Sequence, residues 1–177
     1  MSATTTTAAA RGGKYLTFFL GDEEYGVEIL KVQEIIGMQP ITRVPRTPSF
    51  VRGVINLRGK VIPIMDLRER FAMPAAEQAD AAASALRCII VMQVAGPQGE
   101  GHAVPLGVVV DRVCEVAVVA PQEVEDVPSF GAGVRTEYLL GLARASTADG
   151  HGRVRLLLDI DRVLATDELS AAAALGA

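Results

Sequence analysis

The sequence predicts an all-β protein built from two similar five-stranded barrels, and three observations lead there. Nine or ten apolar runs of strand length alternate with Gly-, Pro- and Asp-containing turns, and only brief stretches read as helix. Half of the 177 residues are apolar, yet aromatic residues make up 5% and tryptophan is absent, so the core has to be filled by Val, Ile and Leu, which suit pleated strands. The third observation is an internal repeat. Residues 26 to 35, GVEILKVQEI, lie over residues 107 to 116, GVVVDRVCEV, with Gly26/Gly107, Val27/Val108, Val32/Val113 and Glu34/Glu115 identical. The order continues through Gly53/Gly141, Val61/Val154 and Asp66-Leu67/Asp159-Ile160. A duplicated five-stranded unit with an apolar inner face closes most economically into a small barrel, and two barrels side by side leave a groove.

Taken in order, residues 1 to 13 are poor in bulky side chains and read as a flexible tail. The folded part is expected over 14–169, with a first half at about 14–73, a second at about 86–165, and a C-terminal tail from 170 to 177. Tyr15 to Leu20 is a strand, Gly21-Asp22 a turn, and Glu24 to Ile29 a second strand, with Asp22, Glu23 and Glu24 read as a solvated turn. One helical turn around Leu30 precedes a bent strand through Glu34, Ile35 and Ile36, because Gly37 and Pro40 forbid anything longer. Thr47-Pro48-Ser49-Phe50 signals a short helical turn, with a capping hydroxyl before a proline.

The stretch from Phe50 to Phe71, FVRGVINLRGKVIPIMDLRERF, is the centre of the chain. It reads as a hairpin that turns at Arg58-Gly59-Lys60, where glycine supplies a positive φ. Val61 to Met65 returns apolar on both faces, as a strand sandwiched inside a domain does, and Pro63 has to fall at an edge, a strand start or a bulge. Asp66 opens a short amphipathic segment from Leu67 to Phe71. Asn56 and Arg58 stand out as polar residues at the mouth of this hairpin.

The stretch from Met73 to Ser84 is alanine-rich and connects the halves. Further strands are expected at Leu86 to Ala95, Ala103 to Val110, Val113 to Val119, Tyr138 to Ala145 and Val154 to Ile160, followed by a helix from Ile160 to Leu164. The glycine-dense residues 96 to 101 make a hairpin loop.

Several function classes find no support in these residues. The net charge is -4 with a pI near 5.2, and no Lys/Arg run could track a phosphate backbone, so nucleic acid is not an expected partner. No apolar run approaches the ~20 residues of a membrane-spanning helix, so direct membrane insertion is not expected. Cys88 and Cys114 lie in apolar runs and read as buried reduced thiols in a cytosolic protein. His102 and His151 have no ligands at metal spacing, Cys114 has no nearby base, and neither G-x-S-x-G nor a phosphate-cradling G-x-x-x-x-G-K occurs. No metal, cofactor or catalytic residue is therefore assigned. Glu34 and Glu115 recur in the repeat, and a carboxylate there can either satisfy backbone N–H groups in a bend or serve a partner. The first reading is taken for Glu115, and both stay open for Glu34.

The segments VEILKVQEI, ITRVPRTPSFVRGVINLRGKVIPIMDLR, GVVVDRVCEV and TEYLLGL resemble the CheW family of bacterial chemotaxis coupling proteins, from about Lys14 to Leu169. The most specific element is NLRG at Asn56 to Gly59, followed by V-I-P-I-x-D-L. The resemblance implies two SH3-like barrels and a non-catalytic adaptor that joins the tips of methyl-accepting chemotaxis receptors to the regulatory domain of the histidine kinase CheA. It implies a cytoplasmic protein recruited to membrane receptor arrays. Val32, Glu34, Gly53 and Arg58 match receptor-facing positions in the groove between barrels; Ile35 and Asn56 join them as apolar and polar neighbours. Phe130 matches a kinase-ring contact, and Ile89 and Ile90, on the apolar patch of the second barrel, are further candidates. Glu125 stands where some relatives are basic. An alternative keeps the module but places it in a receptor-kinase pathway for surface motility or development; an enzyme or nucleotide-binding protein would instead need a deep polar pocket.

Overall fold

The first hairpin sets a pattern that the rest of the chain repeats. In the computed structural model, which describes residues 12–73, 85–96, 99–127, 138–145 and 152–163, β1 (Gly13–Leu20) turns through Gly21 into β2 (Glu23–Glu28). A 3-10 turn at Ile29–Lys31 then leads to β3 (Val32–Gly37). The central hairpin is β4 (Val51–Leu57) and β5 (Lys60–Asp66), followed by α1 (Leu67–Arg70), which Asp66 caps by accepting the Arg68 N–H at 2.9 Å. The second repeat supplies β6 (Cys88–Gly96), β7 (Gly99–Val110) and β8 (Arg112–Val119). A 3-10 turn at Pro121–Glu123, β9 (Val124–Glu125), β10 (Leu139–Ala145), β11 (Arg153–Leu158) and α2 (Ile160–Val163) complete it.

These strands form two sheets, but the sheets are not the two halves of the chain. One has the order β8-β1-β2-β11-β10-β9 and the other β3-β6-β7-β5-β4. Each repeat therefore lends its first hairpin to the sheet of the other. The hairpin β1–β2 pairs antiparallel with β8 and parallel with β11; β6–β7 pairs antiparallel with β3 and parallel with β5. After Gly37 the chain returns to β4 through a two-way backbone bridge between Thr42 and Val54, both bonds 2.9 Å, which closes the five-stranded sheet toward a barrel.

The repeat found in the sequence is visible as matched registers. Gly26 lies opposite Leu157 and Gly107 opposite Ile64. A Cβ on Gly26 would come within 3.2 Å of Leu157, and one on Gly107 would run into the Ile64 side chain, so the two glycines are needed for the same close approach. Both repeats also carry a bulge: β3 slips against β6 between Val32 and Glu34, and β8 slips against β1 opposite Thr17. Similar ion pairs, one residue out of step with the repeat, link each short helix to a strand corner of the other repeat, with the charges reversed. Arg68 on α1 holds Asp111, and Lys31 holds Asp161 on α2 at 2.8 Å.

Among the described residues, three apolar clusters result. Ile55, Ile62, Ile64, Ile89, Val91 and Val109 fill the five-stranded barrel, while Tyr15, Val119, Val124, Ala143 and Leu157 fill the six-stranded one. The largest cluster lies where they meet, with Phe18, Tyr25, Met65, Ile90, Met92, Val108, Tyr138 and Leu158 among its members. The junction between barrels is thus a packed core, and only its rim can offer a groove. Arg70 crosses it, donating to the Val163 carbonyl at 2.9 Å with its guanidinium 4.9 Å from the Phe50 ring and 5.3 Å from that of Tyr138.

Several local expectations need correction. Thr47 to Phe50 makes turns rather than a helix: Arg46 has a φ of 63°, and the Thr47 hydroxyl donates back to the Val44 carbonyl at 2.9 Å. Glu24 is not solvated; it is 4% exposed because Arg155 on the neighbouring strand reaches it at 2.9 Å. Cys114 is exposed on the edge strand β8, whereas Cys88 is half-buried and burial pushes its thiol pKa up. His151 and Phe130 lie outside the described residues, as does the side chain of His102.

Candidate functional site

The site predicted from sequence is built around the edge strand β3 and the β4–β5 turn. Leu57 pairs with Lys60, so Arg58 and Gly59 are the two central residues of a tight hairpin, with φ of 51° and 83°. Positive φ at both positions matches the strand twist but is unusual for arginine. Asn56 explains how the turn is held: its side-chain carbonyl accepts the Gly59 N–H at 3.0 Å. That turn aims Arg58 across the barrel mouth, where its guanidinium pairs with the Glu34 carboxylate on β3. Arg58 keeps 68% of its side chain exposed and Glu34 24%, so the pair is reachable from solvent.

The β3 bulge divides the candidate residues between two faces. Val32 lies opposite Met92 and Ile35 opposite Ile90, both of which face the barrel junction; Glu34 lies opposite Val91, which faces the barrel interior. Val32 and Ile35 therefore share a face at the rim of the junction, and Glu34 points instead to the mouth where Arg58 waits. Ile35 is 45% exposed, and Met38 and Leu30 on either side of β3 are 41% and 91% exposed. These are large apolar residues on an edge strand and its flanks. Leu30 was legible as an apolar residue in a tight turn with nothing to pack on.

Two candidates have a structural task. Gly53, with φ of 139°, is buried beneath the Thr42–Val54 bridge, and a Cβ there would collide with the Thr42 carbonyl. Asn56 serves the turn. Ile89 and Ile90 do not form a surface patch: both are 0% exposed, Ile89 inside the five-stranded barrel and Ile90 in the junction core. A sheet covered on both sides buries consecutive residues, and these two are withdrawn as kinase contacts.

At the equivalent bulge, Glu115 does something other than satisfy N–H groups with its carboxylate. Its backbone N–H and C=O are both met by the buried Thr17 hydroxyl, at 3.2 and 3.0 Å, and its carboxylate takes Arg155 at 2.7 Å. Arg155 thereby bridges Glu24 and Glu115. The ligand atoms of Glu24, Cys114 and Glu115 all lie within 4.8 Å of one another, but the guanidinium already supplies the positive charge between those carboxylates.

A pair of interlocked barrels that presents an apolar edge strand beside an ion pair has the kind of surface a protein-docking module uses. The chain belongs to the CheW family: the model of the CheW-like domain matches residues 14 to 168. It is 38% identical to the chemotaxis protein CheW of Klebsiella aerogenes over 159 residues, covering 90% of this chain and 86% of that one. It is 31% identical to the chemotaxis protein CheW of Treponema pallidum over 156 residues, 87% of this chain and 83% of that one. The crystal structure of the scaffolding protein TtCheW from Thermoanaerobacter tengcongensis is similar with a TM-score of 0.69 at 28% identity, covering 89% of this chain and 95% of that one. No helix among the described residues is long and apolar enough to cross a membrane.

Proposed function

We infer that this chain is a non-catalytic chemotaxis adaptor that couples the cytoplasmic tips of chemoreceptors to the histidine kinase CheA. The observation that carries the reading is the placement of Arg58: the NLRG turn of a CheW-family chain aims it onto Glu34 beside the exposed Ile35. A receptor tip is a helical hairpin, and binding one takes an apolar strip with fixed charges to set the register. Val32 and Ile35 supply the strip, Glu34 and Arg58 the charges, and Gly53 and Asn56 hold the backbone that presents them. Phe130 is the residue assigned to the kinase. Its action is cytoplasmic, at the membrane-bound arrays, and attachment there comes from several modest interfaces engaged together.

The test is analytical gel filtration of the purified chain with the regulatory domain of CheA and a receptor-tip fragment. Co-elution of all three supports coupling. Failure to bind either partner at tens of micromolar removes it.

A further inference from the structure

The open end of the five-stranded barrel holds a recess that the docking reading above touches only through Arg58. It measures about 240 Å³ and is lined by Gln33, Leu57, Arg58, Lys60, Gln93 and Pro105, among others. Every one of the five strands β3, β4, β5, β6 and β7 contributes to the lining, and Arg58 comes from the turn, so the recess is the barrel's mouth. Barrel mouths are recurrent binding places, but this volume falls below the ~300 Å³ at which small-molecule clefts begin. It suits one inserted side chain better than a cofactor.

The lining selects the kind of side chain. Leu57 and Pro105 offer apolar contact for methylene groups. Gln93 donates its amide to the Gln33 carbonyl, which leaves the Gln33 amide nitrogen as a further donor. The charge at Arg58 is largely answered by Glu34. Lys60 is exposed and has no carboxylate partner among the described residues, and the described charges at the mouth, Arg58, Lys60 and Glu34, leave one positive charge unanswered. Apolar lining, amide donors and an unanswered ammonium describe a receiver for a carboxylate on a short flexible stem.

We propose that the mouth of this barrel takes a glutamate or aspartate side chain projecting from the docked helical partner, with Lys60 as its counter-charge and the Gln33–Gln93 pair as its orienting donors. The carboxylate enters beside Arg58, so this contact and the Glu34–Arg58 pair together set the register of the partner along β3. The proposal rests on the receptor-docking reading and adds to it a residue, Lys60, that the sequence did not single out.

The experiment is calorimetric titration of a chemoreceptor-tip hairpin fragment into the intact chain, its Lys60→Met variant and its Arg58→Glu variant, at two salt concentrations. Lys60→Met should weaken binding about three- to tenfold and flatten the salt dependence, with an unchanged melting temperature. Among Glu→Gln and Asp→Asn variants of the fragment, one should cost nothing further against Lys60→Met, which marks the inserted carboxylate. If Arg58→Glu abolishes binding while Lys60→Met leaves affinity and salt dependence unchanged, the mouth proposal is overturned and docking stands. If neither variant changes affinity, both are overturned.

Discussion

Arg58, at the tip of the β4–β5 turn, forms an ion pair with Glu34 on β3, so a residue that follows one edge strand of the five-stranded sheet is tied to the other edge. It does so from a φ of 51°, a conformation that costs an L-residue roughly 1–2 kcal/mol. The exposed pair itself contributes only about 0–1 kcal/mol. Stability alone therefore does not favour arginine at this position.

Arg58→Asn separates presentation from stability. Asparagine tolerates positive φ, so the melting temperature should hold or rise by a few degrees while affinity for a receptor-tip fragment falls. Thermal unfolding and calorimetry on the same sample check it.

Gly53→Ala should behave in the opposite way. The added methyl meets the Thr42 carbonyl at a φ of 139°, and the expected loss is about 2–4 kcal/mol by urea unfolding. Weakened binding in this variant should track the unfolded fraction and not a lost contact.

Thr17→Val keeps the shape of a buried side chain but removes the hydroxyl that serves the Glu115 backbone. Two groups at the β8 bulge then lose their partner, and a cost of about 1–3 kcal/mol is expected from equilibrium unfolding.

The Arg68–Asp111 pair gives the fold an acid limit. Burial by itself would raise the Asp111 pKa, but the Arg68 hydrogen bonds, the Gly21 N–H at 2.7 Å and the charges of Arg68 and Arg87 outweigh it and hold the carboxyl below its ordinary value. A carboxylate whose folded pKa lies below its unfolded one contributes stability that is complete above about pH 4 and is lost as pH falls through the folded value. Arg68→Met should flatten this part of the stability profile between pH 5 and 2, read by urea midpoints at each pH.

The duplication was legible because its marks are local: glycines where strands approach closely, glutamates at the bulges, and aspartates before the short helices. The exchange of hairpins was not. Strand alternation states which face of β1 is apolar but is satisfied equally by a neighbour from either half, and the choice of β8 and β11 is made by contacts about a hundred residues away. Glu24 is the same case on the scale of one residue. It sits in an acidic run that reads as solvated, and only Arg155, 131 positions on, makes its burial tolerable. Ile89 and Ile90 were misread as surface because adjacent apolar residues suit a sticky patch as well as a strand with a core on each side. Of the residues proposed to face the receptor, Glu34 stood out by its recurrence in the repeat and Arg58 by its place at the hairpin mouth, whereas the division of Val32 and Ile35 from Glu34 depends on a bulge that no residue type announces. The β9 strand escaped notice because two residues carry no period.

The most direct test of the account is calorimetric affinity for a receptor-tip fragment across Arg58→Glu, Glu34→Lys and the exchanged pair Glu34→Arg with Arg58→Glu. The account predicts at least tenfold weaker binding for each single variant at an unchanged melting temperature, with no recovery in the exchanged pair, because the partner reads which charge sits on which strand. Wild-type affinity in the single variants, or full recovery in the exchanged pair, would show that the two residues only hold the barrel closed.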